Sequence, residues 1–240
     1  MSPDSNPELF CFILPLVERT VLKPNRDWIG AGAGFIFVLL TLVGLGIGGS
    51  HPSSIGPVED IRSRFISDPG PFAIQAGSYI QAFATLPFIV FAVRIAERLW
   101  IAGQQWVAAV ALSGAILTAG IGLIENSLLS VLVYSVASDG DAGAIKAVYG
   151  LRHILLSYIY FPDALTAFAI AFGSLAASVF ARWYGWITAV VGLIFVSGGA
   201  DLARSGFFSV QGDHWFYVLL IYSVWTLLTS AILLTRPRIV

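Results

Sequence analysis

The sequence predicts an all-α protein: a polytopic membrane helical bundle of six transmembrane helices, with helices 3 and 4 extended on the outer face. Three observations carry this. Of the 240 residues, 57% are apolar and 11% charged, about half the charge density of a soluble domain and more apolar surface than one core can bury. Six apolar stretches, at about 28–48, 72–93, 106–137, 143–181, 183–203 and 215–235, reach or approach the roughly 20 residues that cross ~30 Å of hydrocarbon. The thirteen Lys and Arg residues are distributed unevenly over the two sides those spans define, as the positive-inside rule requires.

Taken in order, residues 1–27 read as a cytoplasmic tail and 28–240 as a single transmembrane helical domain. The tail's apolar run, residues 9–17, is too short to span and reads as an interfacial amphipathic segment. Glu18, Arg19, Lys23 and Arg26 follow it, suited to a headgroup layer. No basic residue precedes the run, as a signal peptide would need. Cys11, the one cysteine, reads as a small hydrophobe. Runs such as Phe35 to Leu40 are apolar on every side, which excludes the alternation of a membrane barrel. The first outer loop, 49–71, contains an amphipathic helix candidate at Val58 to Ile66.

Spans three and four outrun the bilayer. Counting inward from Trp106 and back from Phe180 leaves residues 128–159 over as a helical hairpin on the outer face, turning at Ser138 to Asp141. Its apolar residues, Val131, Val133, Val136, Ile154 and Leu155, need cover, which the 49–71 loop supplies; tilted spans are the alternative. Pro87 and Pro162 each remove a backbone donor within a span and predict kinks. Gly30, Gly34, Gly44, Gly48, Gly114 and Gly122 predict close helix approach, either within one bundle or along a dimer seam.

Orientation follows from charge. Arg19, Lys23, Arg26, Arg94, Arg98, Arg182, Arg236 and Arg238 fall on one side; Arg62, Arg64, Lys146, Arg152 and Arg204 fall on the other, with Glu59, Asp60, Asp68, Asp139, Asp141 and Asp213. Trp28, Trp100, Trp106, Trp183 and Trp186 lie at the more basic side, where indoles settle among headgroups. The expected location is the cell membrane, multi-pass, with both termini cytoplasmic.

The turn Ala181-Arg182-Trp183-Tyr184-Gly185-Trp186, after a span rich in small residues, resembles the Pro-Arg-Trp-Leu-Gly-Trp-like turn of a family of six-helix bacterial integral membrane proteins of unknown function. Arg94 to Trp100 is similar to the short basic turn that family carries after its second span. The resemblance covers about residues 60–205; Ala181 stands where that family has proline. It implies the architecture and a bacterial inner membrane, and no catalytic residue.

Polar residues inside the spans are costly and therefore candidates for a site. They cluster by depth: Glu125 and Asn126 at the outer end of span three, Arg152 and His153 in segment four, Asp163 beyond Pro162, Asp201 and Arg204 at the outer end of span five. Gln75, Tyr79 and Gln81 enter span two from the same side. Arg152 and Asp163 are eleven residues apart, about three turns, and share a face unless Pro162 rotates them. One reading is structural: Glu125 pairs with Arg152, and Asp201 with Arg204. The other is an outward-facing polar pocket that holds the head of a lipid or lipophile.

Other chemistry finds little support. His51, His153 and His214 lack metal-motif spacing, so no metal is assigned; no histidine pair faces across mid-membrane to hold haem, and no cofactor is expected. Motifs of hydrolases, zinc proteases, nucleotide binding and dithiol exchange are absent. A net charge of −1 with no basic patch argues against nucleic acid. The expected partners are membrane lipids and membrane proteins. The leading reading is a lipid- or lipophile-binding accessory subunit of a membrane assembly. A small transporter or channel using Asp163 and Glu125, and a membrane-embedded lipid-modifying enzyme using Glu125, His153 and Asp163, are the alternatives. The catalytic residues of such an enzyme are unknown.

Overall fold

The computed structural model describes residues 27–199 and 214–235, and helices are the only regular elements among them. In chain order they are α1 (Trp28–Gly48), α2 (Val58–Ile66), α3 (Gly70–Ile101), α4 (Gln105–Val131), a π-helical turn (Leu132–Val136), α5 (Ala137–Asp139), α6 (Ala142–Tyr158), α7 (Tyr160–Ala177), α8 (Arg182–Gly198) and α9 (His214–Thr235). Five helical segments are long and apolar enough to cross a membrane: α1, α3, α4 continued to Asp139, α6 with α7, and α9. Helix α8, with 17 residues, reaches about 26 Å. Leu39, Leu86, Leu117, Leu193 and Val224 are each more than half exposed on outward faces. Water does not tolerate an apolar surface of that extent, and lipid does. The chain is a multi-helix membrane protein.

The helices close into a ring. Helix α1 packs on α3, α3 on α4, α4 on α7, α7 on α8, α8 on α9, and α9 returns to α1. Phe88, Phe91, Ile95, Phe195 and Trp225 fill the interior. The predicted close approaches lie inside this ring, except at Gly122, where a Cβ would meet only Ile159 Cδ1, at 3.7 Å. A Cβ on Gly77 would sit 2.6 Å from the Gly44 carbonyl oxygen, and one on Gly114 would sit 2.7 Å from that of Pro162. Only glycine lets α1 meet α3, and α4 meet α7, at such separations.

A second, smaller core lies at one end. Ile61 and Phe65 of α2 pack with Leu132, Ala137, Ile145 and Tyr149, all fully buried. Helix α2 carries Glu59 and Asp60 in its first turn and Arg64 in its last, each at the end its dipole favours. The π turn serves the same core. Leu132 and Ala137 are five residues apart, which overshoots a regular 3.6-residue turn; the wider winding brings both to one face. Three backbone contacts clamp this cap. Arg64 Nε donates to the Ser50 carbonyl at 3.1 Å, Arg62 Nη2 to that of Gly140 at 3.1 Å, and the Tyr149 hydroxyl to that of Pro52 at 2.7 Å.

Several boundaries differ from expectation. Helix α3 runs to Ile101, beyond the predicted end at 93, because Arg94 and Arg98 are paired within the protein and need no turn. The segment predicted at 143–181 is two helices. Their break falls at Ile159, ahead of Pro162, since Pro162 has no N–H to give the Tyr158 carbonyl. The tail at 1–26, with its interfacial segment and Cys11, and the predicted end of span five at 200–203 lie outside the described residues.

Phe65 is fully buried between the His51 ring, 6.3 Å away, and Tyr149, 5.8 Å away. Phe65→Ala is expected to weaken the cap by about 3–5 kcal/mol, read as faster native-state proteolysis across residues 49–57 with the ring of long helices intact. Unchanged cleavage would show that Phe65 does not hold α2 down.

Candidate functional site

A cavity of about 570 Å³ lies among α1, α3, α4, α6, α7 and α9, directly beneath the cap. Phe37, Phe88, Leu156, Ile159 and Leu219 make its walls mostly apolar, and loop residues 49–53 form its rim.

Its polar groups fall at two stations. At the cap end, Arg152 Nε donates to Glu125 Oε1 at 2.5 Å, joining α6 to α4; both side chains are under a tenth exposed. Asn126 Nδ2 donates to the Gly122 carbonyl at 2.9 Å, which directs Oδ1 elsewhere. His153 Nδ1 lies 2.9 Å from the Tyr149 carbonyl. A carbonyl only accepts, so Nδ1 carries the proton and Nε2 is the basic nitrogen. Deeper in the ring, Thr118 Oγ1 donates to Asp163 Oδ1 at 2.7 Å, and the Tyr222 hydroxyl lines the same cavity. Thr118 precedes Glu125 by seven residues, two turns of α4, so the stations are about 10 Å apart.

Three polar atoms lining this cavity are buried with no partner among the described residues: Asn126 Oδ1, the Tyr222 hydroxyl and His51 Nδ1. Each costs on the order of 1–3 kcal/mol while unmet. No three of His, Cys, Asp and Glu gather into a metal-binding group among the described residues.

Glu125, Asn126, Arg152, His153 and Asp163 thus line one cavity. Arg152 and Asp163 both face it although the helix breaks between them. Asp201 and Arg204, and the ion pair expected of them, lie outside the described residues. Of the polar residues at the start of span two, Gln81 lines the cavity while Tyr79 is 71% exposed on the outside. Sequence reasoning passed over Tyr222, and gave His51 only a metal role that it rejected. A mid-span tyrosine was a usable signal, because membrane tyrosines favour the interfaces.

A second charged cluster lies at the opposite end of the ring. Asp27 caps α1, accepting from Gly30 N at 3.0 Å, and also accepts from Arg94 Nε at 3.1 Å. Arg94 Nη1 meets Glu97 Oε2 at 2.5 Å, and Arg98 Nη2 donates to the Leu233 carbonyl of α9 at 2.9 Å. These contacts tie α1, α3 and α9 together. An acid directly before an apolar run is a helix-start signal, and Asp27 was legible as one.

Two predictions follow from the cap-end station. Glu125→Ala strands a buried guanidinium and is expected to cost about 3–5 kcal/mol in detergent; adding Arg152→Ala should recover part of the loss. A double variant no more stable than the worse single variant would refute the coupling. His51 lies in the loop between α1 and α2, where burial first, then the charges of Arg152, Arg64 and His153, lower its pKa from 6.5 to about 3. Between those values the unfolded chain binds a proton that the folded chain refuses. Stability is therefore full above about pH 6.5 and falls as the pH drops through that window. His51→Gln should flatten this dependence in melting curves taken from neutral pH down to pH ~4; an unchanged slope would exclude His51 as its source.

Comparison with protein-family models, with curated proteins and with solved structures finds no match to this chain.

Proposed function

We propose that the protein binds a lipid or lipophile in the cavity beneath its cap and serves a membrane assembly as a binding subunit. The observation that carries this reading is a mostly apolar cavity of about 570 Å³ lined by Asn126 and Tyr222, whose buried side-chain oxygens, Oδ1 and the hydroxyl, lack partners among the described residues. That volume is within the range of small-molecule sites, about 300–1,000 Å³, and the pattern of apolar wall with few convergent polar groups is theirs too. The carboxylates are already engaged, Glu125 by Arg152 and Asp163 by Thr118. That favours holding a molecule over transforming or transporting one.

The same proposal sets the protein in the bilayer with six spans, α8 being the fifth, and both termini cytoplasmic. Arg94, Arg98 and Arg182 mark the cytoplasmic end, and Glu59, Asp60, Asp139 and Asp141 the outer end. The cap, with the end of α4 and most of α6, then stands in or beyond the outer headgroups.

Gly122 allows a direct test of binding, since a Cβ there meets only Ile159 Cδ1, at 3.7 Å. Wild-type protein purified in mild detergent should carry a lipophile detectable by mass spectrometry at near-equimolar amount. Gly122→Phe, filling the cavity, should lose it with helical content unchanged. Retention of the lipophile by that variant, or a wild type that carries none, would refute the proposal. For the topology, a reporter active only in the periplasm and fused after Val240 should stay inactive, and cysteines at Val131 and Leu155 should resist lipid-phase probes. An active reporter or deep labelling would reverse the respective assignment.

A further inference from the structure

The two polar stations of the cavity say something about what it holds. Asn126 and Tyr222 are 6% and 7% exposed, and the unpartnered oxygen of each belongs to a different station. A lipid with one polar head would meet one of them and leave the other buried against its hydrocarbon tail. At the cap-end station the charges are balanced in advance. Arg152 is the only Lys or Arg among the described lining residues, and Glu125 already meets it at 2.5 Å. A phosphate or carboxylate head would therefore lie beside Glu125 at the first station, or beside Asp163 at the second.

We infer that the cavity takes a lipophile without an anionic head, bearing hydrogen-bonding oxygen functions at two places about 10 Å apart. This rests on the reading of the cavity as a lipophile site and names the chemical class that site accepts. At the cap-end station a hydroxyl can donate to Asn126 Oδ1 and accept from Arg152, whose Nε alone is engaged in a hydrogen bond. At the deeper station a hydroxyl or carbonyl can accept from the Tyr222 hydroxyl, and a hydroxyl can also donate to Asp163. Between the stations the wall offers Phe37, Phe88 and Leu219 to a hydrocarbon body.

The test uses three eight-carbon probes on the full chain in lipid nanodiscs: octanediol with a hydroxyl at each end, octanol with one, and octyl phosphate. Affinity is read from the shift of the thermal unfolding midpoint at equal concentration in the bilayer. Octanediol should bind the wild type about tenfold more tightly than octanol, the worth of one further buried hydrogen bond, and octyl phosphate no more tightly than octanol. Tyr222→Phe and Asn126→Leu should each bring octanediol down to the level that octanol shows on the wild type. Equal affinity of the wild type for octanediol and octanol would overturn this inference and leave the lipophile site standing. Tightest binding by octyl phosphate would do the same, by showing that Arg152 accepts an anion despite Glu125. No shift with any probe would overturn both readings.

Discussion

The ion pair of Glu125 with Arg152 is the constraint around which the rest of the molecule is organised. It joins α4 to α6 at 2.5 Å, with both side chains withdrawn from solvent. Neither charge can be left alone there, because an isolated ion in a low-dielectric interior costs several kcal/mol. The pair therefore keeps α6 over the mouth of the ring, and it also decides the electrostatics of the cavity. Arg152, the one guanidinium among the described lining residues, is thereby answered by a carboxylate.

The cap depends on that register. Once α6 is held against α4, Tyr149 reaches the Pro52 carbonyl and Ile145 meets Ile61 and Phe65 of α2. The arginines of α2 then fasten the ends of α1 and α6. These contacts are mostly side chain to backbone, which suits a short helix that buries only two residues of its own.

The two ends of the ring put their charges to different use. At the Asp27 end, Arg94, Arg98 and Glu97 are drawn into contacts among α1, α3 and α9, and their effect is to close the bundle. At the cap end, the charges cancel each other and neutral groups are left facing open space.

Much of this was legible in the sequence, and for identifiable reasons. Apolar runs long enough to span a bilayer dictate helices, since lipid offers no partner to a backbone N–H or C=O; α1 and α9 lie close to where the runs placed them. The excess length of segments three and four, and the amphipathic pattern of Val58 to Ile66, foretold a second packed unit. The cost of burying charge singled out Glu125, Arg152 and Asp163 before any fold was known. Tertiary structure alone decided what those residues face. Periodicity assigns a residue to a side of its own helix, but whether that side meets a neighbour, lipid or a void depends on how helices distant in sequence are arranged. So Tyr222, about a hundred residues from Asn126 in the chain, joins it in one cavity. The sequence by itself determined that polar groups would be buried in a membrane bundle; the packing of α1, α4, α6 and α9 decided which of them would be satisfied and which left facing the cavity, because hydrogen bonds between distant helices exist only once those helices have met.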